Sequence, residues 1–208
     1  MVIEAQWSYS PPGKKAIHEA GHVAVALCLG IEIGAVTVEE DHEGGGFAEV
    51  RDDWVNDRKP ESIENRAVVV MAGIASDVLF GRNHSMPSSD SSWDAIYCAE
   101  ESWRPDICRC CCLDWISRHT DILLKVATDV PHDTSSDGLL AMIRGHHEYQ
   151  APPRDCVRTY FNSAKALLGK PKVRDFTELL GERLSSLCTL SSDQCRAIWR
   201  DSGCGGVE

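Results

Sequence analysis

His18, Glu19 and His22 stand in the run HEAGH, two imidazoles four residues apart with a carboxylate beside the first. Residues so spaced share one face of a helix, their Cβ atoms about 5–6 Å apart. Both rings can therefore close on one zinc ion at nitrogen–metal distances of about 2.0–2.1 Å. Glu19 would project toward a water on that metal. Zinc lowers the pKa of such a water to about 7, an adjacent carboxylate can take its proton, and the hydroxide can attack a carbonyl polarised by the same ion. The chemistry these residue types imply is metal-assisted hydrolysis with Glu19 as general base. The bland alternative is a chance pentapeptide on an ordinary helix. The small residues Ala16, Ala20, Gly21 and Ala24 surround the histidines. Gly21 costs about 1 kcal/mol relative to Ala in a helix interior, so something must approach the backbone closely there, whether a site or a tightly packed helix.

A catalytic zinc needs a third protein ligand and one open position. By residue type the candidates are His42, His84, Asp90 and Asp94. His119, His132, His146 and His147 have no motif around them and read as surface residues. A second cluster, Cys108, Cys110, Cys111 and Cys112, lies in ICRCCC, where Cys108 and Cys111 have CxxC spacing. Cys28, Cys98 or Cys156 can complete a four-ligand set on paper. A single CxxC, however, reads better as unpaired thiols in a helical insert than as a structural metal site.

The elements that must position these residues follow from periodicity. A helix is predicted over 14–29, preceded by Pro11 and Pro12 and stopped by Gly30. Strands are predicted over 31–40 and 47–51, around a turn at Gly44, Gly45 and Gly46. A long helix is predicted over 57–80, with Pro60 in its first turn and Ile63, Ala67, Val70, Ile74 and Val78 on one apolar face. A helix running to about Trp103 should start near Asp90 to Ser92. The stretch 104–112 reads as irregular. Helices follow over 113–130, 135–149, 155–168, 173–187 and 192–200, the last announced by capping-box spacing of Ser191 and Gln194. The expected class is mainly α with a small β-sheet (α+β).

Composition narrows the function. Formal net charge is −11 and the few basic residues are dispersed, which argues against nucleic acid as the main partner. The first fifteen residues lack an apolar signal core, and the apolar run 67–80 is interrupted by Ser76 and Asp77. The expectation is a soluble, cytoplasmic chain whose ten cysteines are thiols. No GxxxxGK[ST] phosphate loop occurs.

Taken together, HEAGH at 18–22, MAGIASDVLFG at 71–81, and the following serine-rich loop with an Asp at a helix start resemble the peptidase domain of the FtsH family and its stand-alone relatives. The resemblance is close over about 17–99 and weaker over 160–199, where AKALL, TELLGERL and TLSSDQCRAI look like the C-terminal helices of the stand-alone forms. It implies a zinc metallopeptidase in which His18 and His22 are ligands and Glu19 is the base. Asp94 becomes the third ligand, 72 positions after His22 (94 − 22), about the separation the family shows. Asp90, better placed as a cap, is the alternative. Asp77 stands where the family often has Glu and is a candidate to hydrogen-bond a ligand histidine. On this reading 1–104 is the metal-binding peptidase core, 105–152 a cysteine-rich helical insert of unknown role, and 153–208 C-terminal helices completing the same domain. Family enzymes of this kind unfold substrates with ATP. Without a phosphate loop, the expected substrates are peptides or disordered protein segments, or folded proteins delivered by a separate unfoldase or partner. The strand 35–39 could offer an edge for an added substrate strand, but an ordinary hairpin is the better reading of the sequence. Two other functions fit the same residues: a non-catalytic zinc-binding module, and a regulatory peptidase that cleaves one protein partner. The intact Glu19 speaks against the first.

Overall fold

A computed structural model of the chain describes residues 11–39, 47–51, 59–80, 92–99, 101–128 and 136–205. The first helix, α1 (Pro11–Cys28), begins with two prolines, whose fixed φ suits a first turn. It ends where Gly30 turns left-handed at φ +70. There the Gly30 N–H reaches Leu27 O (3.2 Å) and the Ile31 N–H reaches Ala26 O (2.9 Å), a Schellman closure that aims the chain into β1 (Glu32–Thr37).

β2 (Phe47–Arg51) pairs antiparallel with β1, Ile33 opposite Val50 and Thr37 opposite Phe47. The register shifts between Ile33 and Val36, and within that bulge the Glu49 carboxylate accepts the Ala35 N–H at 3.2 Å. On the other side of β1 lies β3 (Thr189–Leu190), also antiparallel, giving the order β2-β1-β3. The sequence reading missed this third strand. Two residues carry too little pattern to be seen, and the pairing is fixed by the Thr37–Thr189 hydroxyl contact (2.8 Å) and the Val38 N–H to Cys188 O bond (2.8 Å).

The central element is α2 (Pro60–Phe80). It is buried continuously from Ala67 to Ser76, which is wider than the single apolar face predicted. The reason is that α2 packs against three helices: α1, α4 (Arg104–Arg118) and α7 (Val157–Leu168). A helix so surrounded must be apolar all round. Between α2 and α4 come the short α3 (Trp93–Ala99) and a 3-10 turn over Glu101–Trp103.

The stretch 104–112 is the first half of α4 and is not irregular. Pro105 sits in the first turn, which tolerates it, and Asp106 adds a favourable acid there. Cys110, Cys111 and Cys112 are buried as small apolar side chains. The helix predicted over 113–130 is broken at His119, which leaves helical geometry (φ −134, ψ 48) and separates α4 from α5 (Thr120–Thr128).

Beyond α6 (Ser136–Gly145), a 3-10 turn over Arg154–Cys156 leads into α7. Next, α8 (Pro171–Leu187) covers the far side of α1. The closing helix α9 (Ser192–Asp201) has the predicted capping box, with the Gln194 N–H on Ser191 Oγ (3.3 Å) and the Ser191 N–H on Gln194 Oε1 (2.8 Å). The fold is mostly helical with a small three-stranded antiparallel sheet. No helix among the described residues is long and apolar enough to cross a membrane.

Candidate metal centre

The α1–α2 contact sets the position of the histidines. A Cβ on Gly21 would lie 2.5 Å from Ser76 Oγ and 2.6 Å from the Ala72 carbonyl, so only glycine allows the two backbones this close. The Ser76 hydroxyl donates to the carbonyls of Ile17 and Gly73, each at 2.8 Å, and so bridges the two helices. Gly73 does the same for the rings. A Cβ there would sit 2.5 Å from His22 Nε2 and closer still to His18 Nε2. Both Nε2 atoms thus converge over the bare Cα of Gly73, with ring centroids 4.9 Å apart and planes at 77°.

Each ring is held through its other nitrogen. His18 Nδ1 lies 2.8 Å from Asp77 Oδ2, and the same oxygen accepts the indole N–H of the buried Trp103 at 3.0 Å. The Nδ1 of His22 lies 2.7 Å from the Val69 carbonyl. A carbonyl can only accept, so Nδ1 of His22 carries the proton and Nε2 keeps its lone pair.

The third group is Asp106, in the first turn of α4 and 7% exposed. Its Oδ2 lies 3.1 Å from His18 Nε2 and 3.9 Å from His22 Nε2. Oδ1 faces the Arg109 guanidinium at 3.6 Å. His18, His22 and Asp106 offer three ligand atoms within 4.8 Å of one another, and this buried group can hold a metal ion. A tetrahedral site with bonds of about 2.0–2.1 Å needs ligand atoms about 3.3–3.4 Å apart. The distances around Oδ2 bracket that value, and the two nitrogens and one carboxylate oxygen are donors zinc accepts.

Electrostatics complete the arrangement. Burial opposes a charge on His18, but Asp77 and Asp106 outweigh it and hold its pKa well above 6.5. Burial, with the neighbouring His18 charge, pushes His22 down to about 4. Asp106 is buried too, which raises a carboxyl, yet its bond to His18 and the nearby cations bring it below the usual value. Glu19 is 7% exposed, and burial pushes it up to about 7. No hydrogen bond from the described residues holds its carboxyl, which leaves it able to exchange a proton near neutrality.

Asp94, the expected third ligand, is not part of this group. It lies exposed at the start of α3 and is ion-paired with Arg154, whose guanidinium stacks 3.8 Å from the Tyr97 ring centre. It staples α3 to the turn before α7. Asp90, His42, His84 and His132 lie outside the described residues. The expected type, an acid in the first turn of a helix after the serine-rich loop, occurs one helix later, 84 positions after His22 (106 − 22). Arg104-Pro105-Asp106 carried that signal, because a proline followed by an acid marks a helix start, but the cysteine run beside it obscured the helix. Trp103 had no signal of its own, and Gly73 stood only within the segment 71–81 that resembles the family. His119, His146 and His147 lie apart from the group, and all ten cysteines are unbridged thiols. Among the described residues no second set of three such side chains converges.

Comparison of the chain with models of known protein families finds no match, and no curated protein is significantly similar to it.

Proposed function

We propose that this chain is a zinc metallopeptidase that hydrolyses peptide bonds in peptides or disordered protein segments. The observation that carries this reading is the convergence of His18 Nε2, His22 Nε2 and Asp106 Oδ2, each histidine anchored through Nδ1, beside a buried Glu19 with no hydrogen bond from the described residues. The peptidase assignment draws on the resemblance of HEAGH and MAGIASDVLFG to the FtsH peptidase domain. Contact between those two segments supports it: Gly73 lies under both rings and Asp77 bonds His18.

Bound zinc would supply Lewis acidity, polarising a carbonyl and acidifying water. The chain's own residues do the rest. His18, His22 and Asp106 hold the ion, with Asp106 in the place first expected of Asp94. Asp77, steadied by Trp103, orients His18, and the Val69 carbonyl fixes the tautomer of His22. Glu19, poised near pH 7, takes a proton from water and passes it to the departing amide nitrogen. With no phosphate loop of its own, the chain would cut segments that are already unfolded, or folded proteins presented by a separate unfoldase.

The test is Glu19→Gln. This variant should keep about one zinc per chain and lose at least about 100-fold in cleavage of a disordered protein such as casein. Unchanged cleavage would remove Glu19 from the mechanism. If the wild type holds zinc but cuts nothing, the chain is a zinc-binding module. If only one cellular protein is cut, it is a dedicated regulatory peptidase.

A further inference from the structure

The cysteine run on α4 fans out in three directions. Cys108 Sγ faces the Tyr97 hydroxyl at 3.7 Å, and Cys112 Sγ faces the Leu140 carbonyl at 3.9 Å. Cys111 Sγ lies 3.8 Å from Cys156 Sγ. Cys111 is 5% exposed and Cys156 is half-buried at the end of the turn that enters α7.

One turn further along both elements a second contact repeats the alignment. The Tyr160 hydroxyl donates to Asp114 Oδ1 at 2.9 Å, and the Arg118 guanidinium holds both oxygens of that carboxylate at 2.8 Å. Residues 111 and 114 on α4 thus face 156 and 160 on the other segment. The Asp114–Tyr160 bond holds the backbones in a register that already brings the two sulfurs together. A disulfide needs a sulfur–sulfur distance of about 2.05 Å. Closing the gap asks for less than about 2 Å of sulfur travel.

We propose that Cys111 and Cys156 are an oxidation site that forms a reversible intramolecular disulfide with hydrogen peroxide, tying α4 to the start of α7. In the first step the more exposed Cys156 sulfur attacks a peroxide oxygen. An S–O bond forms, the O–O bond breaks, and the departing hydroxide leaves as water with the thiol proton. In the second, Cys111 sulfur attacks the resulting sulfenic acid: the S–S bond forms, the S–O bond breaks, and a second water carries away the Cys111 proton. Two electrons pass from the thiols to the peroxide. Its contact with the Cys111 thiol, together with burial, holds the Cys156 thiol well above its ordinary value, so oxidation is slow and the pair responds to sustained oxidant. The bond would restrain the helix that carries Asp106 and lengthen the lifetime of the folded chain.

The zinc-loaded chain should be treated with hydrogen peroxide, blocked with a thiol alkylator and digested with trypsin. Tryptic peptide 110–118 should appear joined to peptide 155–158, with two hydrogens lost, and separate again with dithiothreitol. Fragmentation of the wild-type pair should place the link on Cys111. The link should persist in Cys110→Ala and Cys112→Ala and vanish in Cys111→Ser and Cys156→Ser. Closing a loop of about 45 residues should raise the melting temperature by about 5 °C or more. Free alkylatable thiols at 111 and 156 after prolonged peroxide, separate sulfinic acids at the two positions, or a link mapped to Cys110 or Cys112 would each overturn the proposal. Because the peptide map comes from the wild type, it decides the matter even if a serine variant fails to fold.

Discussion

At His18 one imidazole serves two carboxylates: Nδ1 binds Asp77 and Nε2 faces Asp106. That division assigns different tasks to similar groups. Asp106 is placed to offer an oxygen to a metal ion, whereas Asp77 holds the ring through Nδ1, the contact that would orient a ligand histidine and raise its basicity. Asp77→Asn should therefore leave the fold intact and weaken zinc affinity by about 10–100-fold, read by competition with a chromophoric chelator. Unchanged affinity would make Asp77 an ordinary helix acid. At this scale the sequence was informative for His18 and His22, because four-residue spacing in a helix converts directly into a shared face. It was less so for Asp106, the third member of the group. A carboxylate from a distant helix has no fixed offset, and the spacing that selected Asp94 selected a residue used instead in a surface pair with Arg154.

Between elements, the decisive contact is the crossing of α1 and α2. Glycine at 21 removes helix propensity worth about 1 kcal/mol relative to Ala, and the geometry explains why it is there: a methyl would press on the Ala72 carbonyl and the Ser76 side chain. Gly21→Ala should therefore lower stability by about 1–3 kcal/mol in chemical denaturation, because overpacking outweighs the propensity gain. Displaced helices would also pull His18 from Asp77 and His22 from the Val69 carbonyl, so zinc affinity should fall with it. A stabilised variant would show that the two helices are not held this closely. The amphipathic helices and the α9 capping box were readable from local pattern. The start of α4 was not, because Pro105 and four cysteines resemble a loop when the first-turn role of the proline is overlooked. The two residues of β3 and the break at His119 depend on tertiary contacts with no local signature.

Across the molecule, the group draws its members from α1 and α4, with α2 packed between them, so an ion there links segments 84 positions apart in the chain (106 − 22). A ligand that binds only the folded state stabilises it by mass action, by about 2.7 kcal/mol at a hundredfold excess over its dissociation constant. For a chain of this length that corresponds to about 5–10 °C. Stripping zinc with a chelator should lower the melting temperature by that amount, and readdition should restore it. A melting temperature indifferent to zinc would mean the group holds no ion. The net charge of −11 and the absence, among the described residues, of any helix able to span a membrane leave this reading unaffected.

The most direct test of the central claim is the zinc content of purified wild type beside Asp106→Ala and Asp94→Ala. The expected result is about one zinc per chain in the wild type and in Asp94→Ala, and little or none in Asp106→Ala. Retention of zinc by Asp106→Ala together with its loss from Asp94→Ala would contradict the site described.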